Sequence, residues 1–258
     1  MSEEKKAVQT QFGKSAAGYV GSDIHAKGQD LTWLVQEVKA RVPRPLLALD
    51  VATGTGHTAF ALREYVPRVV GFDLTAEMLE QAQREAAARG LDNLSWMMGD
   101  AENIPLPDHL FDVVTLRIAA HHFPHPLQAF QECRRLLAPG GIFILVDNVA
   151  PDDPDVDRLY NQVEKWRDPS HGRVYTEGQW SEMLQQAGFL TVEVTHRWQN
   201  RVKMDHWFAR AHTTDESKKL VHNTLQQANP EQQQLLGFDP VCEHPEFILR
   251  KAMWVATR

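Results

Sequence analysis

The sequence predicts an α/β fold built on a seven-stranded, mostly parallel sheet with helices on both faces. Two observations predict it. Short apolar runs of strand type alternate with helical patterns from Leu46 to Val146, and small, glycine- or acid-containing turns follow the strand ends. With 43% hydrophobic residues in 258, the chain has ample material for a full core.

The first strand falls near 45–51, and the helix after Gly56 runs through Thr58-Ala59-Phe60-Ala61-Leu62. Arg68 to Asp73 is the second strand, followed by a helix from about Thr75, a natural N-cap, to Arg89, with Gly90 placed to end it. The third and fourth strands are Leu94 to Met98 and Phe111 to Leu116. A helix over 127–137 is expected to stop at Pro139-Gly140-Gly141, ahead of a fifth strand from Ile142 to Val146.

Past Val149 the rhythm changes. Residues 150–175 read as an excursion with a short helix, and Thr176-Glu177-Gly178-Gln179 has capping-box spacing for the helix that ends at Gly188. A sixth strand is expected over 190–196 and helix over 203–236, with Thr213-Thr214-Asp215-Glu216 as a second capping box. Phe247 to Ala256 is the seventh strand, and its charges at Arg250 and Lys251 suggest exposure at its start. The organisation expected is a single domain: a helical extension over 1–42, a ligand-binding core over 43–149, and the remaining sheet with helical insertions over 150–258.

Composition excludes several classes. A net charge of −7 argues against wrapping a nucleic-acid backbone, which needs clustered Lys and Arg. The longest apolar run, Ile142 to Val146, falls far short of the ~20 residues of a membrane span. Two cysteines and no apolar N-terminal segment point to the cytoplasm. A small-molecule or protein-borne substrate fits this balance, the small molecule being the expected partner, and the chain is expected to be a monomer or homodimer.

The richest stretch is Leu49-Asp50-Val51-Ala52-Thr53-Gly54-Thr55-Gly56, a strand ending in a carboxylate and then in a glycine turn that opens a helix. Read alone, Gly54-Thr55-Gly56-His57-Thr58-Ala59 satisfies the dinucleotide fingerprint, with Asp73 17 residues beyond Gly56 in reach of a ribose. That leaves a nicotinamide-dependent oxidoreductase as one reading. Against it, Asp50 would repel a pyrophosphate, although it suits a cationic amino group or a role in holding the turn. Asp100 ends the third strand beside the first two, and no second mononucleotide half follows.

Five segments in order strengthen another reading: Asp50 to Gly56, Asp73, Gly99-Asp100-Ala101-Glu102, Phe111-Asp112-Val113-Val114 and Leu136-Leu137-Ala138-Pro139-Gly140-Gly141. Together they resemble the Rossmann-like class I S-adenosylmethionine (SAM) dependent methyltransferases. The likeness covers roughly residues 7–200 and is closest to the small-molecule branch of the ubiquinone/menaquinone C-methyltransferases. Within that branch the chain resembles a bacterial subgroup without an assigned substrate, which has similar Ala119-Ala120-His121-His122-Phe123 and Val163-Glu164-Lys165-Trp166-Arg167-Asp168 segments.

The resemblance implies SAM as cofactor and S-adenosylhomocysteine (SAH) as product. The backbone of Ala52, Thr53 and Gly54 would pass the methionine part, with Asp50 near its amino group. Asp73 would accept from the ribose hydroxyls, although a carboxylate there also serves as a plain helix N-terminal charge. Leu74 and Met78 would flank adenine, while Asp100 and the Ala101 N–H would face its polar edge. Arg117 joins the cofactor set from the end of the fourth strand, and Tyr19 and His25 would cover the methionine end from an N-terminal lid helix. A helix simply packing Phe12, Ala16 and Tyr19 on the core is the alternative.

Methyl transfer needs a nucleophile held in line and, where required, a base. His122 is the first choice as base or substrate orienter and His121 the second, because imidazole titrates near neutral pH. With no cysteine or carboxylate at ligand spacing, no metal is expected at His121, His122 and His125. One of these rings capping the next helix and another packing beside the cofactor is the simpler alternative. Tyr160, Trp166, Tyr175, Met204, Trp207 and Phe208 are either a roof over an apolar pocket or plain core, and Asn148 is a further polar pocket residue. A non-catalytic SAM-binding protein on the same fold is the reading from outside enzymology.

Overall fold

The computed structural model describes residues 2–20 and 28–258, without the side chains of residues 15–20. Its centre is one seven-stranded sheet in the order β3-β2-β1-β4-β5-β7-β6. The strands are β1 Leu47–Val51, β2 Arg68–Asp73, β3 Leu94–Met98, β4 Phe111–Arg117, β5 Leu137–Val149, β6 Thr191–Lys203 and β7 Glu246–Thr257. The first five are parallel, and β7 runs antiparallel between β5 and β6. Reversal of order beside β1 opens a crevice at the carboxyl ends of β1 and β4, where open α/β sheets bind ligands.

Ten α-helices complete the described residues: α1 Glu3–Val20, α2 Gln29–Arg41, α3 His57–Leu62, α4 Ala76–Ala88, α5 Pro126–Leu136, α6 Pro154–Arg167, α7 Glu177–Gln186, α8 Met204–Arg210, α9 Asp215–Gln227 and α10 Pro230–Leu236. Leu34, Val38, Ala59 and Leu62 of α2 and α3 bury against Val113, Ile144 and Val255 of the sheet. Phe130, Cys133, Trp180 and Leu184 of α5 and α7 bury with Val114, Phe143 and Trp254. This alternation along the strands covers both faces, as parallel sheets require. A third cluster joins Tyr160, Trp207, Phe208 and Leu225 of the later helices to Phe247 and Leu249 of β7.

Local signals explain most boundaries. The N–H of Leu91 reaches Ala86 O at 2.9 Å and that of Gly90 reaches Ala87 O at 3.1 Å, with Gly90 left-handed, which is the Schellman closure of α4. Thr176 and Gln179 form the reciprocal capping box of α7.

Several elements differ from the sequence expectations. β5 starts at Leu137 and passes through Pro139-Gly140-Gly141, because the left-handed Gly140 lets the chain bulge and rejoin β4 at Ile142. β6 continues to Lys203, paired throughout with β7, where helix and strand patterns overlap in charged sequence. The 203–236 stretch divides into three helices. Thr214 caps α9 through the Ser217 N–H, so no capping box forms there, while Asn229 and Gln232 form one for α10.

Lys251 is the most consequential difference: it is buried rather than exposed, and Arg250 donates on the other side of the strand to Leu235 O. Of the proposed aromatic roof, Tyr160, Met204 and Phe208 are core, and Trp166 packs against that same cluster. Tyr175 packs against the main core. Trp207 alone among the six reaches the cavity described below.

Gly56 is held at φ +89°, and a Cβ there would lie 2.9 Å from both Phe60 Cζ and Trp96 Cη2. Gly56→Ala is therefore expected to lower unfolding stability by about 2–3 kcal/mol, from backbone strain and overpacking together. Urea denaturation checks this, and an unchanged midpoint would show that the turn relaxes freely.

Candidate functional site

A cavity opens at the carboxyl ends of β1, β2 and β4, with about 180 Å³ accessible to the centre of a water molecule. One bound water needs only ~10–15 Å³ by that measure, so the space suits a much larger ligand. Ala52, Thr53 and Gly54 form its floor, with Asp73, Leu74 and Met78 beside them. Asp100, Ala101, Arg117, His121 and His122 also line it. Among the sequence candidates, Asp50 does not. The side chain of Tyr19 and all of His25 lie outside the described residues.

Asp50 sits beneath the turn. Its carboxylate accepts Thr53 Oγ1–H at 2.6 Å and Thr115 Oγ1–H at 2.7 Å, which commits both oxygens. Burial pushes its pKa up to about 6, against the opposing pull of the two hydroxyls. Asp73 occupies the end of β2 and accepts the Gly54 N–H at 2.8 Å and the Thr75 N–H at 2.9 Å. Burial raises its pKa too, opposed by those bonds.

These bonds bear on the ligand. The Gly54 N–H is taken by Asp73, and the Gly56 N–H by Thr53 O at 2.9 Å. A pyrophosphate cradle would need such amides free, and two buried carboxylates below it would repel a phosphate. Above Gly54, by contrast, a Cβ would meet nothing within 4 Å, so the turn presents open backbone at φ +54°. Ala52 and Ile118 also carry positive φ, of 52° and 54°. For a β-branched residue this is strained backbone, and both residues line the cavity.

Helix α1 runs along the cavity, from Asp100 at one end to His122 at the other. Lys5, Val8 and Phe12 line the cavity, and Lys5 Nζ donates to Asp100 Oδ2 at 2.6 Å and Glu102 Oε2 at 2.5 Å. Gln9 Nε2 donates to Leu74 O at 2.9 Å and Gln11 Nε2 to Ala211 O at 2.7 Å, tying the helix across both rims. At the centre, Arg117 Nε donates to Asp30 Oδ2 at 2.6 Å in a buried ion pair that anchors α2 to β4.

The opposite end carries the histidines. His121 Nδ1 lies 2.5 Å from Asp147 Oδ1, so Nδ1 is the donor of that bond and Nε2 is the ring's other nitrogen. His122 Nδ1 donates to Ser170 O at 3.0 Å, and the two rings stand 4.2 Å apart. Burial, then repulsion from His121, pushes the pKa of His122 down to about 4. His125 is exposed and heads α5 without a side-chain cap, although its N–H donates to Glu102 Oε1 at 2.7 Å. Asn148 lines the cavity, and its Oδ1 is buried without a partner among the described residues.

Sequence reasoning missed the charged wall above. Glu164 and Arg167 of α6 pair at 2.8 Å and line the cavity with Asp168, while the Arg167 guanidinium lies 5.0 Å from the Trp207 ring centre. Arg210 and Lys251 complete it. The signal for Lys251 was a charge inside an otherwise apolar strand, which marks function at least as readily as exposure.

Comparisons with known proteins agree with this geometry. A family model described as a methyltransferase domain matches residues 49–145. The uncharacterized methyltransferase YcgJ of Bacillus subtilis is 35% identical over 223 residues, covering 86% of this chain and 87% of that protein. The chain belongs to the class I SAM-dependent methyltransferases. The ubiquinone/menaquinone biosynthesis C-methyltransferase UbiE of Methylobacterium nodulans is 30% identical over 222 residues, covering 76% of this methyltransferase and 87% of that one. The crystal structure of the YcgJ protein superposes with a TM-score of 0.83 at 31% identity, over 89% of this chain and 98% of that one. SAM is thus the cofactor, and the open space above Gly54 leaves room beside the turn for a ligand.

The depressed pKa of His122 has a definite sign. Below its ordinary value of 6.5 the unfolded chain takes up a proton that the folded chain refuses until about pH 4, so stability falls as pH drops through that window. Between about pH 7.5 and 5, the wild type should lose about 2 kcal/mol more stability than His122→Gln in urea unfolding. Parallel profiles would show that His122 titrates normally.

Proposed function

We propose that this methyltransferase moves the SAM methyl group to a small, partly apolar acceptor by in-line displacement. The observation that carries the reading is the pairing of His121 with Asp147 at the cavity end remote from Asp73 and Asp100. The limited cavity volume and the net charge of −7 favour a small molecule over a nucleic acid. Phe12, Phe123, Trp207 and Leu249 supply apolar surface around that end.

In this reading Asp73 accepts from the ribose hydroxyls, Leu74 and Met78 flank the adenine, and Asp100 and the Ala101 N–H meet its polar edge. Ala52 to Gly54 and Arg117 take the methionine part, and Asp50 acts from below by fixing Thr53. Bound SAM supplies a methyl group already activated by its positive sulfur, so positioning and water exclusion are the main tasks left to the protein. His121 Nε2 takes the acceptor's proton where one must leave, and Asp147 holds the ring and stabilises its charged form. His122, neutral at physiological pH, orients the acceptor as a hydrogen-bonding partner. The order of the two histidines is thus the reverse of that expected from sequence, because a carboxylate supports His121 and another imidazole opposes charge on His122.

Asp73→Ala is expected to weaken SAH binding at least about tenfold by calorimetric titration, through loss of ribose contacts and of the bond that fixes Gly54. Unchanged affinity would refute the assignment, and stabilisation of the wild type by NAD(H) but not SAH would sink the cofactor reading for this chain. His121→Gln should slow labelled methyl transfer from SAM into a small-molecule extract about 100-fold or more, with SAH affinity nearly unchanged. Equal transfer would remove His121 from the mechanism.

A further inference from the structure

We propose that Lys251, with Asn148 and Arg210 beside it, binds an anionic group, a carboxylate or phosphate, on the methyl acceptor. This deepens the methyltransferase reading and rests on it.

Lys251 lies in the middle of β7 and is 5% exposed, yet it lines the cavity. Its side chain makes no hydrogen bond or ion pair with another described residue. The charged groups that face it are Arg117 and Arg210, which repel it, and Asp30 and Asp147, which attract it. Both carboxylates are committed elsewhere, Asp30 to Arg117 at 2.6 Å and Asp147 to His121 at 2.5 Å. A buried ammonium without a counter-ion is costly, and an anion supplied by a ligand removes that cost. Burial accordingly pushes its pKa down to about 8, which still leaves it mostly charged at neutral pH.

The neighbours fit the same group. Asn148 stands directly opposite Lys251 in the β5–β7 register, so the two side chains share one face of the sheet. Its amide lines the cavity as well. Ammonium and amide together offer donors to a planar carboxylate or to two phosphate oxygens.

Position assigns this anion to the acceptor rather than to SAM's own carboxylate. The glycine turn follows β1, whereas Lys251 is on β7, three strands away through β4 and β5. At ~4.8 Å per strand that is on the order of 14 Å. His121, held by Asp147 of β5, lies between the two. An acceptor anchored at Lys251 by its anion therefore presents the rest of its body toward the histidines.

The test uses SAH-loaded full-length protein and four probes, benzoate, phenyl phosphate, inorganic phosphate and neutral benzamide, with binding read by calorimetry. At least one anion should bind about tenfold or more tighter than benzamide, the size of one charge-assisted hydrogen bond. Lys251→Met should abolish that preference and Lys251→Arg should retain most of it, with SAH affinity within about twofold in both. No preference for any anion in the wild type overturns the proposal without recourse to a variant. A preference that survives Lys251→Met overturns it, as does a roughly tenfold loss of SAH affinity in that variant, which would give the charge to the methionine carboxylate. Failure of the wild type to bind SAH would instead sink the methyltransferase reading itself.

Discussion

The carboxylate of Asp73 is the joint on which the site depends. By accepting the Gly54 and Thr75 N–H groups it fastens the turn after β1 to the end of β2 and the start of α4. The same two bonds decide the ligand class. An amide that might have faced a phosphate is turned toward a protein carboxylate, and what remains open above Gly54 is bare backbone. Asp50 repeats the device one level below through Thr53 and Thr115, so the turn rests on two buried acids rather than on helix-end amides. Burial raises both pKa values, which shows that these carboxylates hold the turn at an electrostatic penalty.

Charge is divided along the cavity. Asp73, Asp100 and Glu102 make one end acidic, and Lys5 reaches across from α1 to neutralise part of it. The other end mixes Arg167, Arg210 and Lys251 with Glu164 and Asp168, with Arg117 between the two ends. The anion proposed on the acceptor would meet its cations at the second end only. Ala52 and Ile118, both at positive φ, line the same cavity.

Legibility followed the range of the interaction. The turn Asp50–Gly56, the acidic end of β2, the α4 closure at Gly90 and the α7 capping box were readable because each is set by residues within a few positions of one another. Strand lengths in β5 and β6 were not, because pairing with β4 and β7 extends them through a glycine bulge and a charged stretch whose local signals favour other structure. The aromatic residues of the insertions read equally as roof or core. Contacts such as Tyr160 with Phe247, 5.4 Å between ring centres, resolved them mostly into core.

Sequence by itself determined the α/β class, the glycine turn and the cofactor family, since these rest on periodicity and on motifs whose residues act on their own neighbours. Only the tertiary structure decided which charges meet in the cavity. Lys251 is buried because β7 inserts between β5 and β6, Asp147 reaches His121 because β5 runs beside β4, and α6 and α8 bring Arg167 and Arg210 over them. Those juxtapositions join positions far apart in the chain. A lone charge in an apolar strand has the same local pattern whether it faces water or a ligand, and only the fold supplies what lies opposite it.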